Sequence, residues 1–328
     1  MIISRTPFRV SFFGGGTDFP DYYKEHGGAV LSTGINKYCY LSVHSLGPFF
    51  KHRLRVSYAQ TETVRSPSEI KHPLIRESLG LLGLDAGMEI NHVADLPGRT
   101  GLGSSSSFTV GLLNALHAFR EEEVSAEQLA QEAITVERHR VGDTGGHQDQ
   151  YAAAYGGLYR YDFTADGITA RPLIIDAKRK AALSSRLLLF FTGVESSAEE
   201  ILQEQKKNTA RNLSSLREMR QMVDFAEQLL TGHEDLDAFG RLLHASWMHK
   251  RSLSSGISNY EIDAAYDAAL HAGAIGGKLL GAGGRGFLLL YARPSSQENV
   301  RIALSHLTEI PFQFSDQGSR IIFRSPES

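Results

Sequence analysis

The sequence predicts an α+β protein built as two domains. Three observations carry this expectation. The chain has 328 residues, 41% hydrophobic and 22% charged, which is ordinary for a globular protein and enough for two cores. Its first half interleaves strand-like alternation with helical periodicity. From residue 196 a long, charged helical stretch takes over, and alternation returns only near the end. A boundary near Ser185 divides the chain into residues 1–185 and 186–328.

Taken in order, Thr6-Pro7 opens a first strand in "FRVSFF", and "GAVLSTGI", "YCYLSVH", "RLRVSYA" and "MEINHVA" read as further strands rich in β-branched and aromatic residues. The single cysteine, Cys39, lies in one of them and reads as a buried structural thiol. After a Gly/Ser run, Phe108, Leu112, Ala115, Leu116 and Phe119 recur at helical spacing, so the serines stand at a helix start. A second helix covers "SAEQLAQEAITVERHRVG", with Ser125 and Gln128 at capping-box spacing and Gly142 as its stop. "GLYRYDF", "TARPLIID" and "RLLLFFTG" read as strands. The charged helical stretch, residues 196–230, opens on another capping-box pair, Ser196 and Glu199. Helices around residues 239–249 and 260–271 lead into "GGKLLGAGGRGFLLLY", followed by a helical "SQENVRIALSHL" and short strands in "PFQF" and "SRIIF".

A net charge of −3 with scattered Lys and Arg offers no field for a nucleic-acid backbone. The N-terminus lacks the signal-peptide order, and no apolar run approaches membrane-span length, so the cytoplasm is the expected compartment. Three glycine-rich loops stand out: "FFGGGTDFP", "RTGLGSSSSF" and "LLGAGGRGFLLLY". Gly281 to Gly286 spell G-x-G-x-x-G, but a strand rather than a helix follows, which excludes a dinucleotide fold. Gly277-Lys278 is followed by Leu279, so there is no P-loop, and "HRV" and "DFT" only resemble protein-kinase motifs. The second loop fits a phosphate cradle, because glycines let backbone approach an anion at the positive end of a helix. Its bland alternative is an ordinary serine N-cap.

The segments "PFRVSFFGGGTD", "PGRTGLGSSSSF" and "LLGAGGRGFLLLY" resemble, in order and spacing over nearly the whole chain, the three motifs of the GHMP small-molecule kinases. The resemblance implies a two-domain fold with the active site in the cleft between domains, ATP and Mg²⁺ as cofactors, and a small-molecule acceptor. Gly15-Gly16-Thr17-Asp18 stands where galactokinases carry Glu-His before Thr-Asp. Together with "GGAVLSTGINKYCYLSV", "IKHPLIRESL" and "GGHQDQYAAAYGGLYRYDF", it is most similar to D-glycero-D-manno-heptose 7-phosphate kinases, relatives of the fucokinases. Arg285 departs from the glycine usual in the third motif.

The resemblance and the helix-start argument both select Gly101, Gly103, Ser104, Ser105, Ser106 and Ser107 for the ATP phosphates, and the resemblance implies Ser105 as a Mg²⁺ ligand. On a helical wheel Glu137 falls within the apolar arc of Leu129, Ala130, Ala133, Ile134 and Val136. A carboxylate there ligates Mg²⁺, as the resemblance implies, or pairs with Arg140. The resemblance makes Asp149 the carboxylate facing the sugar hydroxyl, with Arg9 steadying developing charge; otherwise Asp149 merely caps a helix. His147 reads as structural, with no partner at zinc spacing. Gly15, Gly16, Thr17 and Asp18 are expected at the substrate, Asp18 on its hydroxyls or else in an Asx turn. Gly283 and Gly284 are expected to close over the same cavity. Lys37, His72, Arg76 and Arg140 are the cations considered for a distal phosphate. Three readings compete: a heptose 7-phosphate 1-kinase, a fucokinase- or galactokinase-like enzyme acting on a free sugar, and a non-catalytic sensor on the same fold.

Overall fold

A computed structural model describes residues 1–85, 87–193 and 198–325. The first strand, β1 (Ile2–Phe13), is followed by α1 (Pro20–His26), β2 (Gly28–Ser45), β3 (Leu54–Ser57), β4 (Thr61–Val64), α2 (Pro73–Leu82) and β5 (Met88–Ala94). Then come α3 (Ser104–Phe119), α4 (Ala126–Ile134), a π-helical extension of α4 (Thr135–Val141), α5 (Gln148–Tyr155), β6 (Leu158–Thr164), β7 (Gly167–Pro172) and α6 (Ala177–Ser184). Beyond residue 185 lie β8 (Leu187–Phe191), α7 (Ala198–Lys207), α8 (Leu213–Thr231), α9 (Asp237–Ser252), α10 (Tyr260–His271), β9 (Ala274–Leu279) and β10 (Phe287–Ala292). The chain ends with α11 (Gln297–Ala303), β11 (Thr308–Glu309), β12 (Phe314–Ser315) and β13 (Arg320–Arg324).

Two sheets result, as the α+β expectation requires. The larger runs β13-β1-β2-β5-β3-β4, with β6 on β2 and β7 on β6; the smaller runs β11-β8-β10-β9. The chain passes from one to the other between α6 and β8. Its tail then returns, since β13 pairs antiparallel with β1 and β12 adds to β2 beside Gly34 and Ile35. β1 is buried from Thr6 to Phe13 because helices cover both of its faces. Its sequence still alternates, with Phe8, Val10 and Phe12 on one face and the buried polar Arg9 and Ser11 on the other.

The segments "GAVLSTGI" and "YCYLSVH" are one 18-residue strand, whose register against β1 shifts at Pro7/Phe8. Cys39 is buried in it. Serines 104–107 occupy the first turn of α3, as their spacing predicts, but the N-cap is Gly103, left-handed at φ 72°, and no serine side chain caps the helix. Ser125 accepts from the Gln128 amide at 3.1 Å, while the Gln128 side chain reaches forward to Glu132, so only half of that capping box forms. Gly142, at φ 84°, ends the helix. The charged helical stretch is realised as two helices, α7 and α8; the Ser196–Glu199 box falls partly outside the described residues. Phe239 of α9 joins the halves, meeting Phe12 and Phe13 edge-on at 5.3 and 5.1 Å. Among the described residues no helix is long and apolar enough to cross a membrane.

Candidate active site

The second and third glycine loops meet backbone to backbone. Gly101 (φ 79°) and Gly281 (φ 77°) face each other so closely that a Cβ on Gly281 would lie 2.3 Å from Gly101 Cα, and one on Gly101 would lie 2.4 Å from Leu280 O. Only glycine tolerates both the left-handed backbone and that approach. β1 supplies the third member: Arg9 N donates to Leu102 O at 3.0 Å, and Arg9 Nη1 donates to Gly101 O at 2.6 Å.

The same guanidinium grips Asp149 in the first turn of α5. Nε donates to Oδ1 at 2.8 Å and Nη2 to Oδ2 at 2.9 Å, with Arg9 buried. Such a fork fixes the carboxylate plane as well as its position. Asp149 does not accept from its own helix N-terminus, so the capping alternative finds no support in its contacts. Asp18 is buried beside it. Its Oδ1 accepts from Gly16 N at 2.9 Å and its Oδ2 from Gln148 N at 3.2 Å, tying the first loop to the start of α5. A Cβ on Gly146 would sit 1.9 Å from Asp18 Oδ2, so this staple needs glycine there. Burial pushes the Asp18 carboxyl up, and Asp149 adds to that.

Three adjoining cavities form a trench across this junction. The largest, about 760 Å³, is walled by Tyr58, His72, His92 and Phe108, with His72 stacked on Phe108 at 5.0 Å. It opens past Arg99, Ser104 and Ser105 into a second cavity of about 250 Å³ lined by Gly101, Gly103, Ser106 and Glu137. The second shares Arg9, Arg138 and Asp149 with a third of about 120 Å³, bounded by Gly15, Gly16, Asp18, Gln205, Lys250 and Lys278. Asp149 thus stands where the second and third cavities join. Arg99, on the neck of the trench, has φ 58°, an uncommon conformation for a non-glycine residue.

The four serines divide their work. Ser104 Oγ accepts from Arg99 N at 3.2 Å, Ser106 Oγ donates to Glu137 Oε2 at 3.0 Å, and Ser107 Oγ donates to Pro7 O at 2.8 Å. Ser105 is exposed and lines both of the larger cavities. Glu137 is buried on the π-helical turn, as the wheel predicts, and Gln150 Nε2 donates to its Oε2 at 2.6 Å. Its Oε1 has no hydrogen-bond partner, and burial raises its carboxyl. The alternative pairing fails: Arg140 lies against Glu77 at 3.9 Å, and the cation near Glu137 is Arg138, at 3.6 Å.

Other expected contacts shift. Thr17 does not reach the trench, because its hydroxyl is buried beneath the first loop and donates to Gly14 O and Ala29 O. Gly16 faces the third cavity, but a Cβ there would meet Gln205 Nε2 at 2.6 Å, so the space it leaves belongs to α7. Gly283 lines the second cavity, whereas Gly284 turns toward Ile257 and Asn259. Arg285 pairs with Glu261 at 2.8 Å. His147 is structural, bonded to Tyr23 at 3.0 Å, and burial lowers its imidazole to about 4. Of the cations considered for a distal phosphate, His72 is in the largest cavity, Arg76 and Arg140 are at Glu77, and none lines the third. Lys250 and Lys278, which do line it, are the residues sequence reasoning missed. The available signal was Leu243, Ser246, Trp247 and Lys250 on one buried stripe of α9.

The family model for the GHMP kinases N terminal domain matches residues 70–157, and that for the GHMP kinases C terminal region matches residues 215–307. A D-glycero-alpha-D-manno-heptose 7-phosphate kinase of Campylobacter jejuni is 29% identical over 92% of this chain and 93% of its own length. A bifunctional fucokinase/GDP-fucose pyrophosphorylase of Arabidopsis thaliana is 25% identical, over 89% of this chain and 30% of its own. The crystal structure of a D-glycero-D-manno-heptose 1-phosphate kinase of Bacteroides thetaiotaomicron superposes with a TM-score of 0.81 at 26% identity, covering 99% of this chain and 100% of that one. This chain belongs to the GHMP kinase superfamily and is an ATP-dependent kinase.

Proposed function

We propose that this kinase transfers the γ-phosphoryl group of ATP to the anomeric hydroxyl of D-glycero-D-manno-heptose 7-phosphate, giving the 1,7-bisphosphate. The observation that carries the reading is the placement of Asp149, forked onto Arg9 where the Gly/Ser cavity joins the small polar one. The adenine base occupies the cavity walled by His72 and Phe108. The phosphates then lie along the first turn of α3, whose leading N–H groups have no intrahelical acceptor. The sugar fills the third cavity, with the hydroxyl at Asp149. The bond between the γ-phosphorus and its bridging oxygen breaks as one to the sugar oxygen forms, and the hydroxyl proton passes to the Asp149 carboxylate.

The residues present fit Mg²⁺. Glu137 Oε1 is a buried carboxylate oxygen without a hydrogen-bond partner beside the phosphate cavity, since Arg138 approaches the other oxygen, and such an atom is costly unless a ligand meets it. Among the described residues no cluster of three or more metal-ligating side chains exists. A Mg²⁺ that arrives with the nucleotide takes only one or two protein ligands. Glu137 and Ser105 would hold it, Ser106 and Gln150 would orient Glu137, and the ion would neutralise charge on the β- and γ-phosphates.

The choice of a heptose phosphate rests on the likeness to the Campylobacter jejuni enzyme and on the absence of the galactokinase Glu-His pair in the first loop. The test is a coupled ADP-release assay across heptose 7-phosphate, heptose 1-phosphate, free heptose, fucose, galactose and mannose, with phosphorus NMR of the product. Heptose 7-phosphate phosphorylated at C1 should have the highest kcat/KM. A preference for a free sugar, or a new phosphate at another carbon, overturns the proposal.

A further inference from the structure

The third cavity contains two cations that phosphoryl transfer leaves without a task. Lys250, in the last turn of α9, and Lys278, in β9, both line it and are buried, at 7% and 2% exposure. Lys278 Nζ donates to Phe12 O at 2.9 Å; Lys250 Nζ donates to Leu279 O at 3.3 Å and to Gly281 O. An ammonium has three donors, so each keeps at least one for a ligand. Among the described residues neither is salt-bridged, and the carboxylates of the cavity are committed elsewhere. Asp149 serves Arg9, and Asp18 serves the amides of Gly16 and Gln148. Arg9 is paired with Asp149 and Arg138 with Glu137, so among the described residues the two ammonium groups share the cavity with Asp18 as its one other acid.

A neutral sugar gives that surplus no counter-charge, and buried charges without one are costly. We infer that Lys250 and Lys278 form the binding site for a phosphate monoester borne by the acceptor, remote from the hydroxyl that is phosphorylated. The inference rests on the reading of the third cavity as the acceptor site. Burial pulls the Lys250 ammonium down to about 7 and that of Lys278 well below its usual value. A bound dianion opposes this and holds both in the charged, donating form. The competing role is purely structural: the two ammonium groups would peg the carbonyls of the first and third loops.

Calorimetric binding of D-glycero-D-manno-heptose 7-phosphate and of the unphosphorylated heptose to the whole protein separates the two roles, using wild type, Lys250→Met and Lys278→Met. The wild type should prefer the phosphorylated sugar by a hundredfold or more. Each variant should cut that preference at least tenfold and leave affinity for the free heptose within threefold. A folded variant that keeps the full preference, or that weakens both sugars equally, overturns the assignment. Should a variant not fold, NMR of wild type labelled at lysine Cε supplies the second reading. Inorganic phosphate should shift the two signals that titrate below those of surface lysines, and no shift overturns the assignment. If wild type fails to distinguish the two heptoses while phosphate still moves those signals, the heptose reading falls and the lysine site stands. If neither occurs, both fall.

Discussion

Replacing Asp149 by asparagine keeps the volume and shape of the side chain but removes its charge and one of its two acceptors. Arg9 then faces an amide whose NH₂ group opposes either Nε–H or Nη2–H, so at least one of the 2.8 and 2.9 Å bonds is lost. A hydrogen bond to a charged group contributes about 1.5–3 kcal/mol. Asp149 is about a quarter exposed, and water can take up part of the loss. The larger effect is on the reaction, because the hydroxyl loses both its orienting acceptor and the destination of its proton. Such groups contribute about 10²–10⁴ in rate, or roughly 3–5 kcal/mol of barrier. We therefore expect kcat to fall at least a hundredfold in a coupled ADP-release assay. ATP affinity should stay within about threefold, since the cavity for the base is untouched and the amides of the first turn of α3 remain in place. A variant that folds and turns over within tenfold of wild type would refute Asp149 as the acceptor-facing carboxylate.

Glu137→Gln should raise the Mg²⁺ concentration needed for half-maximal rate by about tenfold or more, while the melting temperature without ligands does not fall, because the amide is neutral in a site where burial disfavours charge. An unchanged Mg²⁺ response would remove Glu137 from the metal site. Gly281→Ala places a Cβ 2.3 Å from Gly101 Cα at φ 77°; backbone strain of about 1–3 kcal/mol should appear as a lower melting temperature together with a weaker grip on ATP, and wild-type values for both would show that the loops do not need this contact. His147 takes up its proton near 6.5 when unfolded and only near 4 when folded. Unfolding therefore binds a proton across that window, and stability declines as pH falls from 6.5 to 4 by up to about 3 kcal/mol. His147→Gln should flatten this slope in urea titrations, and an identical slope would assign the acid sensitivity to other groups.

Much of the fold was legible because its core strands carry the side chains that pleated, half-buried surfaces select. Short elements escaped. α1 and α2 are announced chiefly by Pro20 and Pro73 at their first positions, and α6 buries only Leu183. β4, "TETV", has a single buried residue, Glu62, so its pattern reads as loop. The return of the tail was not legible at all. β13 pairs with residues some 320 positions away, and local periodicity contains no term for a partner. Within the site, Glu137 was readable from physics alone, since a carboxylate on an apolar arc must answer to something. Asp149 was not: its neighbours "GGHQDQY" fit any helix start, and only the resemblance singled it out. Lys250 was hidden by its position, because His249, Lys250 and Arg251 form the basic last turn that a helix dipole favours at any exposed end.

The contacts of Arg9 tie the residues of the proposed reaction to the buried first strand. One planar group holds the Asp149 carboxylate through Nε and Nη2 and the Gly101 carbonyl through Nη1, while its own backbone N–H ties β1 to Leu102. The distance from Asp149 to the first turn of α3 is therefore set by a buried strand and one rigid fork. Gly101 and Gly281 extend the same body to the third loop at backbone contact. What remains free to vary is the far wall of the third cavity, which α7 and α9 supply through Leu202, Gln205 and Lys250. An exchange of acceptors on this scaffold should accordingly need changes on those two helices and leave Arg9, Asp149 and Glu137 in place. Grafting a fucokinase-like set of side chains onto positions 202, 205 and 250 should shift kcat/KM toward the free sugar with the Mg²⁺ response unaltered. A graft that altered the Mg²⁺ response as strongly as acceptor preference would show that the walls and the catalytic body are not separable.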